Sequence, residues 1–389
     1  MRILLVATKS PFPPRDGGRL ALWLTLQGLA AAGHALTLVA PVEQAPTRED
    51  LDALRAVCEL HLIPVRPASR LLTAFNAIRQ GQAWSVARHH HARVEQAVAN
   101  CVESWKPDVV HAEQLQAFAN CAPALRRGVP IVLRMQNVES ALWEQSAAVR
   151  RGAWLWHREA EKMREAEARA INASARCIAL TPRDALALRE LSGAPIDHVV
   201  AVAPPFPRSL PAGPAVLGEP AISLAGSAGW WPNRDGLHWF LREVAPRVRS
   251  EWACFHVYGD AQGVTCAGLI PHDAPADSRD AFPANAIAAV PLHVGSGIRM
   301  RILEAWARGL PVIATPAAAA GLDVENSREL LLAASPEEWI AAIERLHAEP
   351  ALRRALVDAG RDYLARHHDS GMLTAALTEQ YAQACEARR

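Results

Sequence analysis

Several things are scarce in this chain of 389 residues, and each scarcity closes off a class of function. Excess charge is missing: 41 basic residues face 40 acidic ones, for a formal net charge of +1. A bulk electrostatic footprint for nucleic acid is therefore excluded. No apolar run approaches the roughly 20 residues of a membrane-spanning helix. Met1 to Ala7 is too short for the apolar centre of a secretion signal and reads as a first strand. The seven cysteines are odd in number and lie without C-x-x-C or zinc spacing. That pattern fits buried thiols in a reducing compartment better than a disulfide framework. Low-complexity tracts are absent, and so is any repeat beyond two strand-helix-strand halves. The expectation is a cytoplasmic protein, with peripheral contact at the inner face of a membrane left open.

What is present is ample apolar material, half of all residues, arranged for two cores. The most informative stretch is Gly295-Ser-Gly-Ile-Arg-Met-Arg-Ile-Leu-Glu304. Ala286 to Leu292 ahead of it is a short apolar run of the buried-strand type. Two glycines then let the backbone turn tightly and approach a ligand. From Ile298 a helical pattern runs through Ile302, Leu303 and Trp306 to a stop at Gly309, and Pro311 to Thr315 is the next strand. A glycine turn opening a helix offers free amides and the positive dipole end to an anion. Arg299 and Arg301 add cations that grip phosphate oxygens, and the carboxylate of Glu304, further into the helix, suits ribose hydroxyls. Solvated arginines on an ordinary strand-turn-helix are the competing reading.

The remainder of the chain alternates strands and helices. Ile3 to Ala7, a loop carrying Gly17 and Gly18, a helix to Gly33 and the strand Ala35 to Ala40 open a βαβ unit. The loop is not G-x-G-x-x-G, which argues against a dinucleotide site. Residues 47–58 read as a helix and Glu59 to Val65 as a strand. Arg66 to Arg93 is basic with interleaved aromatics, either an acceptor or membrane-facing surface or an ordinary amphipathic helix. Three successive histidines, His89 to His91, point about 100° apart on a helix and cannot chelate one ion. Strands at Pro107 to Glu113 and Pro130 to Arg134 end in polar residues. Ligands sit at such carboxyl ends, so His111, Glu113, Asn137 and Glu139 are acceptor candidates; for Asn137 and Glu139 a buried structural network is the alternative. Ala153 to Ala173 reads as a long charged helix. The proline-dense residues 204–214 form the expected connector. After it come the strand Ala221 to Ala225, a second glycine loop from Gly226 to Asn233, a helix over Asp235 to Val248 and the strand Cys254 to Tyr258. Two amphipathic helices are expected to finish the chain, with Gly371 interrupting the second. The one Asp-x-Asp, at Asp50, lies at a helix start and reads as helix-start charge, so no metal ligand is assigned.

The run GSGIRMRILEAWARGLPVIAT, with Ala320-Gly-Leu322 behind it, resembles the donor motif of retaining GT-B glycosyltransferases of family 4, in the subgroup with the GxGxRxKxLEA pattern. The loop GSxxWxPNxDG and the segment DVVHxE extend that resemblance over nearly the whole chain. It implies two Rossmann-like, doubly wound parallel-sheet domains with a donor cleft between them and a final helix crossing back. The expected bounds are 1–203, a linker at 204–214, 215–370, and a helix in 371–389. It implies a glycosyltransferase of hexosyltransferase type that uses a nucleotide diphosphate sugar, with retention and without metal or other cofactor. Surface polysaccharide or glycoconjugate assembly is the implied setting. Gly18, Gly226, Asn233, Gly295, Ser296, Gly297, Ile298, Arg299, Arg301 and Glu304 would then bind donor. Arg299, Arg301 and Glu113 would serve catalysis. The acceptor, whether saccharide, lipid-linked or natural product, is unread. Arg301 stands where lysine is usual, Ser296 where many members have glutamate, and Gln136 where histidine is common. Those departures keep two other readings in view: a catalytically silent nucleotide-sugar-binding protein, and an epimerase or phosphorylase on the same fold.

Overall fold

The computed structural model describes all residues except 67–76, 78–80, 150–151, 226–230, 249–252, 260–262 and 388–389. The chain divides into two compact units. The first comprises Met1–Phe12, Leu22–Pro205 and Ser370–Arg389, and the second Pro13–Ala21 and Phe206–Asp369.

In the first unit seven strands form a parallel sheet: β1 (Arg2–Val6), β2 (Ala35–Val42), β3 (Glu59–Pro64), β4 (Val109–Glu113), β5 (Ile131–Met135), β6 (Arg176–Ala179) and β7 (Val199–Ala201). Their order is β3-β2-β1-β4-β5-β6-β7, so the winding reverses between β1 and β4. Successive strand side chains point to opposite faces, and a sheet covered on both faces needs apolar residues at every position. Leu4 and Val6 accordingly join one core with Val94, Val98 and Ile171, while Ile3 and Leu5 join the other with Leu26 and Leu29. The C-terminal helix Ser370–Glu386 belongs to this second face through Leu373, Leu377, Tyr381 and Ala384.

The second unit repeats the plan with β8 (Ala221–Ala225), β9 (Cys254–Tyr258), β10 (Leu269–His272), β11 (Ile287–Val290), β12 (Val312–Ala314) and β13 (Leu331–Leu332). Strand order is β10-β9-β8-β11-β12-β13, all parallel pairs, with its reversal between β8 and β11. Phe240, Phe255 and Trp339 fill one core face at edge-to-face angles.

Several expectations are corrected. The first helix runs Gly17–Ala31, so Gly17 and Gly18 are its first turn rather than a loop. Asp16 starts it early by accepting from the Arg19 amide at 3.0 Å. The helix after the glycine turn begins at Met300 rather than Ile298, because Gly297 takes a left-handed φ of 72° and Arg299 is still extended. The expected Asp235 to Val248 helix is instead Trp231–Trp239, a π turn Phe240–Val244 and a 3-10 turn ending at Arg247. Three helices close the chain, Pro336–Ala348, Pro350–His367 and Ser370–Glu386, and the break falls before Gly371. The three histidines straddle the end of Trp84–His89. The buried Asn120 side chain holds that break open by donating to the His89 carbonyl and accepting from the His91 amide. Residues 67–76 and 78–80 of the basic stretch that starts at Arg66 lie outside the described residues. Among the described residues no helix is long and apolar enough to cross a membrane.

Candidate active site

A cavity of about 600 Å³ opens at the carboxyl ends of β8, β9 and β10. Its walls include Ala225, Tyr258 and His272 from those strand ends, Ser278, and Arg301 and Glu304 from the helix Met300–Ala307. Arg15, Asp16, Gly17 and Arg19 line it as well. Among the described residues, the wall belongs to the second unit, in which residues 13–21 are grouped. Gly17 packs so tightly on Met300 that a Cβ there would lie 2.5 Å from the Met300 Cβ. Carboxyl strand ends beside a winding reversal are where this topology leaves room for ligands.

Glu304 is almost fully buried, at 1% exposure. Its Oε1 accepts three bonds: from Ser278 Oγ at 2.6 Å, Arg308 Nε at 2.9 Å and Arg308 Nη2 at 2.8 Å. Oε2 receives no donor among the described residues. Burial pushes the Glu304 carboxyl up, opposed by the Arg308 charge and by the Ser278 and Arg308 hydrogen bonds. The carboxylate is thus fixed by one oxygen and open at the other.

Arg301 shares the wall. Burial pulls its guanidinium down to about 10, with Glu304 and Asp16 acting the other way. It reaches the side-chain oxygen of the buried Asn233 at 3.5 Å. Arg301 is the second residue of a helix whose first turn holds no acidic group, where the dipole disfavours a cation.

The other donor candidates are placed as follows. Arg299 is buried, and its Cζ lies 3.5 Å from where a Gly295 Cβ would be. It is not among the residues that line the cavity, whereas Arg301 is. Gly295, Ser296, Gly297 and Ile298 form the turn ahead of the helix. A Cβ on Gly321 would lie 2.3 Å from the Gly297 carbonyl, so the Ala320-Gly-Leu322 segment braces that turn. Gly18 sits between two wall residues, and Gly226 lies outside the described residues.

The acceptor candidates meet a closed network in the first unit. His111 is fully buried, donating from Nε2 to Glu113 Oε2 at 2.8 Å and accepting at Nδ1 from the Tyr381 hydroxyl at 2.6 Å. Gln136 donates to Glu113 Oε1 at 2.7 Å and accepts from Gln114 at 2.6 Å. Burial alone would raise Glu113, but Arg134, His111 and Gln136 together hold it down to about 2. Asn137 and Gln116 hydrogen-bond the Glu139 carboxyl, which burial raises. Glu167 accepts from the Glu139 amide at 2.6 Å, and burial lifts its carboxyl to about 7. Both ring nitrogens of His111 and both oxygens of Glu113 are therefore engaged. Glu113, expected to serve catalysis, is buried at 3% exposure.

Ser278, Arg308, Tyr258 and His272 were not anticipated as site residues. Arg308 is readable in principle, since it lies four residues beyond Glu304 on one helix. The others converge only through the fold.

Two parallel-sheet units of this topology match the GT-B fold, and the family models that the two halves match make the chain a glycosyltransferase. More particularly, residues 16–205 match the glycosyl transferase 4-like domain and residues 219–349 match glycosyl transferases group 1. Solved structures agree on the fold. HepE from Anabaena, crystallised with UDP, aligns at 13% identity over 98% of this chain and 100% of its own, with a TM-score of 0.64. Sucrose-phosphate synthase from Thermosynechococcus elongatus aligns at 14% identity over 98% of each chain, with a TM-score of 0.70. TarM aligns at 8% identity over 98% of each chain, also at 0.70.

Proposed function

We propose that the chain moves a glycosyl group from a nucleoside diphosphate sugar to an acceptor hydroxyl, with retention of anomeric configuration and without a metal ion. The observation that carries this reading is Glu304, with Oε1 held by three donors and Oε2 left without one, in the wall that Arg301 also forms. A carboxylate open at one oxygen suits the vicinal hydroxyls of a ribose. A desolvated guanidinium at a helix start suits a diphosphate, and its hold on an anion is stronger than it would be in water. HepE crystallised with UDP and with UDP-glucose supports the choice of donor class.

The leaving group is a diphosphate, so the main catalytic task is to meet negative charge as it grows. Arg301 and the first amides of Met300–Ala307 perform that task, and this supports independence from metal. Retention rests on the sequence resemblance: attack on the leaving-group face lets the departing phosphate take the acceptor proton and needs no protein nucleophile. The acceptor is a saccharide, lipid-linked or natural-product hydroxyl, in surface polysaccharide or glycoconjugate assembly.

The test is a thermal-shift screen of uridine, guanosine and thymidine diphosphate sugars, followed by product analysis with the best donor. One donor should raise the midpoint. Transfer should persist in EDTA, and the product's anomeric coupling should match the donor's configuration. Absence of both shift and transfer overturns the donor assignment. Activity abolished by EDTA and restored by magnesium or manganese overturns metal independence, and an inverted product overturns retention.

A further inference from the structure

At the amino ends of β11 and β12, the edge of the second sheet opposite the donor cavity, lies a separate pocket of about 280 Å³. The helix Pro350–His367 presents Arg353, Arg354, Asp358 and Arg361 to it on successive turns, against Gly309 and Pro311. Arg353 is anchored, its Nε donating to the Leu346 carbonyl and its Nη2 to the His347 carbonyl. Arg354 and Arg361 make no hydrogen bond or ion pair among the described residues. The Nε of Arg361 is shut away from solvent with no acceptor. Asp358, at helical reach of both, pairs with neither within 4 Å.

We infer that this pocket binds the phosphate group of a small soluble molecule. Three guanidiniums against one carboxylate leave two positive charges in a concave site, and a phosphate monoester near −2 matches them. The planar fork of arginine fits a phosphate oxyanion in two-point contact, and Arg354 and Arg361 bring guanidiniums to the pocket wall with no ion pair among the described residues. The volume admits a phosphate on a small body. A purely structural role competes for Arg361 alone. Its Nη2 lies 2.9 Å from where a Gly309 Cβ would be, just beyond the end of Met300–Ala307, where a cation complements the helix dipole. That role gives no account of Arg354 and no dependence on anions.

The experiment is thermal unfolding of the full chain in rising inorganic phosphate, with ionic strength held constant by chloride. Wild type, Arg354→Gln, Arg361→Gln and Arg301→Gln are compared, each against its own phosphate-free midpoint. Arg354 is exposed, so its substitution leaves the fold intact. Wild type and Arg301→Gln should show a saturable rise, and Arg354→Gln and Arg361→Gln should need about tenfold more phosphate or greater. No saturable rise, or an equal rise in the Arg354 and Arg361 variants, means an adventitious ion only and overturns the proposal. Loss confined to Arg301→Gln assigns the phosphate to the donor cavity and overturns it as well. Co-sedimentation with phosphatidate vesicles in the absence of any response to inorganic phosphate overturns the soluble source.

Discussion

Replacing Arg301 by glutamine should move stability and ligand affinity in opposite directions. The guanidinium is held at about 10 against an ordinary 12.5, so burial on folding disfavours its charge by some 2.5 pH units. At 1.36 kcal/mol per unit that is a penalty of about 3 kcal/mol. Below pH 10 the penalty is fully present, and the neutral amide removes it. The variant's thermal midpoint should therefore rise by several degrees, at about 2–4 °C per kcal/mol for a unit of this size. UDP affinity should fall by about 1.5–3 kcal/mol, roughly 10-fold to 150-fold, since a charge-assisted bond to the diphosphate is lost. Midpoints without ligand and calorimetric titration with UDP measure the two effects separately. A variant less stable than wild type, with unchanged UDP affinity, would refute the reasoning and make Arg301 a structural residue.

Three further outcomes follow from the same contacts. Glu304→Gln keeps an acceptor for Ser278 and Arg308 but removes the charge facing the cavity. Donor KM should rise about tenfold, with kcat little changed, because ribose hydroxyls gain no charge during transfer; unchanged KM counts against the assignment. Glu113, held at about 2 in the fold against an ordinary 4.5, contributes stability that is present above pH 4.5 and lost as pH falls towards 2. Its size is about 3 kcal/mol, so Glu113→Gln should be less stable than wild type at pH 7 and flatter across that acid window in urea titrations. Parallel acid limbs in the two proteins would contradict the network. Gly17→Ala places a methyl 2.5 Å from Met300 Cβ and should cost about 1–3 kcal/mol of overpacking, read as a lower midpoint together with weaker UDP binding. A neutral result would show that this contact does not shape the cavity.

The sheets were legible because parallel strands covered on both faces read as short unbroken apolar runs. Cys254–Tyr258 and Ala221–Ala225 and the long helix Ala153–Ala173 emerged with their observed bounds. Helix starts were not legible where a neighbour decides them. Asp16 caps the first helix early, and the left-handed Gly297 delays the helix that carries Arg301. The site was half legible. Glycine turn, arginines and glutamate are contiguous in sequence, so their chemistry could be read together. Which arginine lines the cavity depends on where the helix starts, with Arg299 ahead of it and Arg301 inside it, and the sequence pattern treats the two alike. His111 and Glu113 show the converse limit. A strand end carries the same residues whether they meet a substrate or Tyr381, which lies 270 positions away.

The central claim is that Arg301 and the open oxygen of Glu304 hold a nucleoside diphosphate in the cavity beside β8 and β9. Its most direct test is a crystal structure of the chain grown with whichever of UDP, GDP or thymidine diphosphate gives the largest thermal shift. The account predicts diphosphate oxygens within hydrogen-bond distance of the Arg301 guanidinium, and ribose hydroxyls on Glu304 Oε2 with Arg308 and Ser278 still on Oε1. A nucleotide bound elsewhere, or one in this cavity that leaves Glu304 Oε2 untouched, would contradict it.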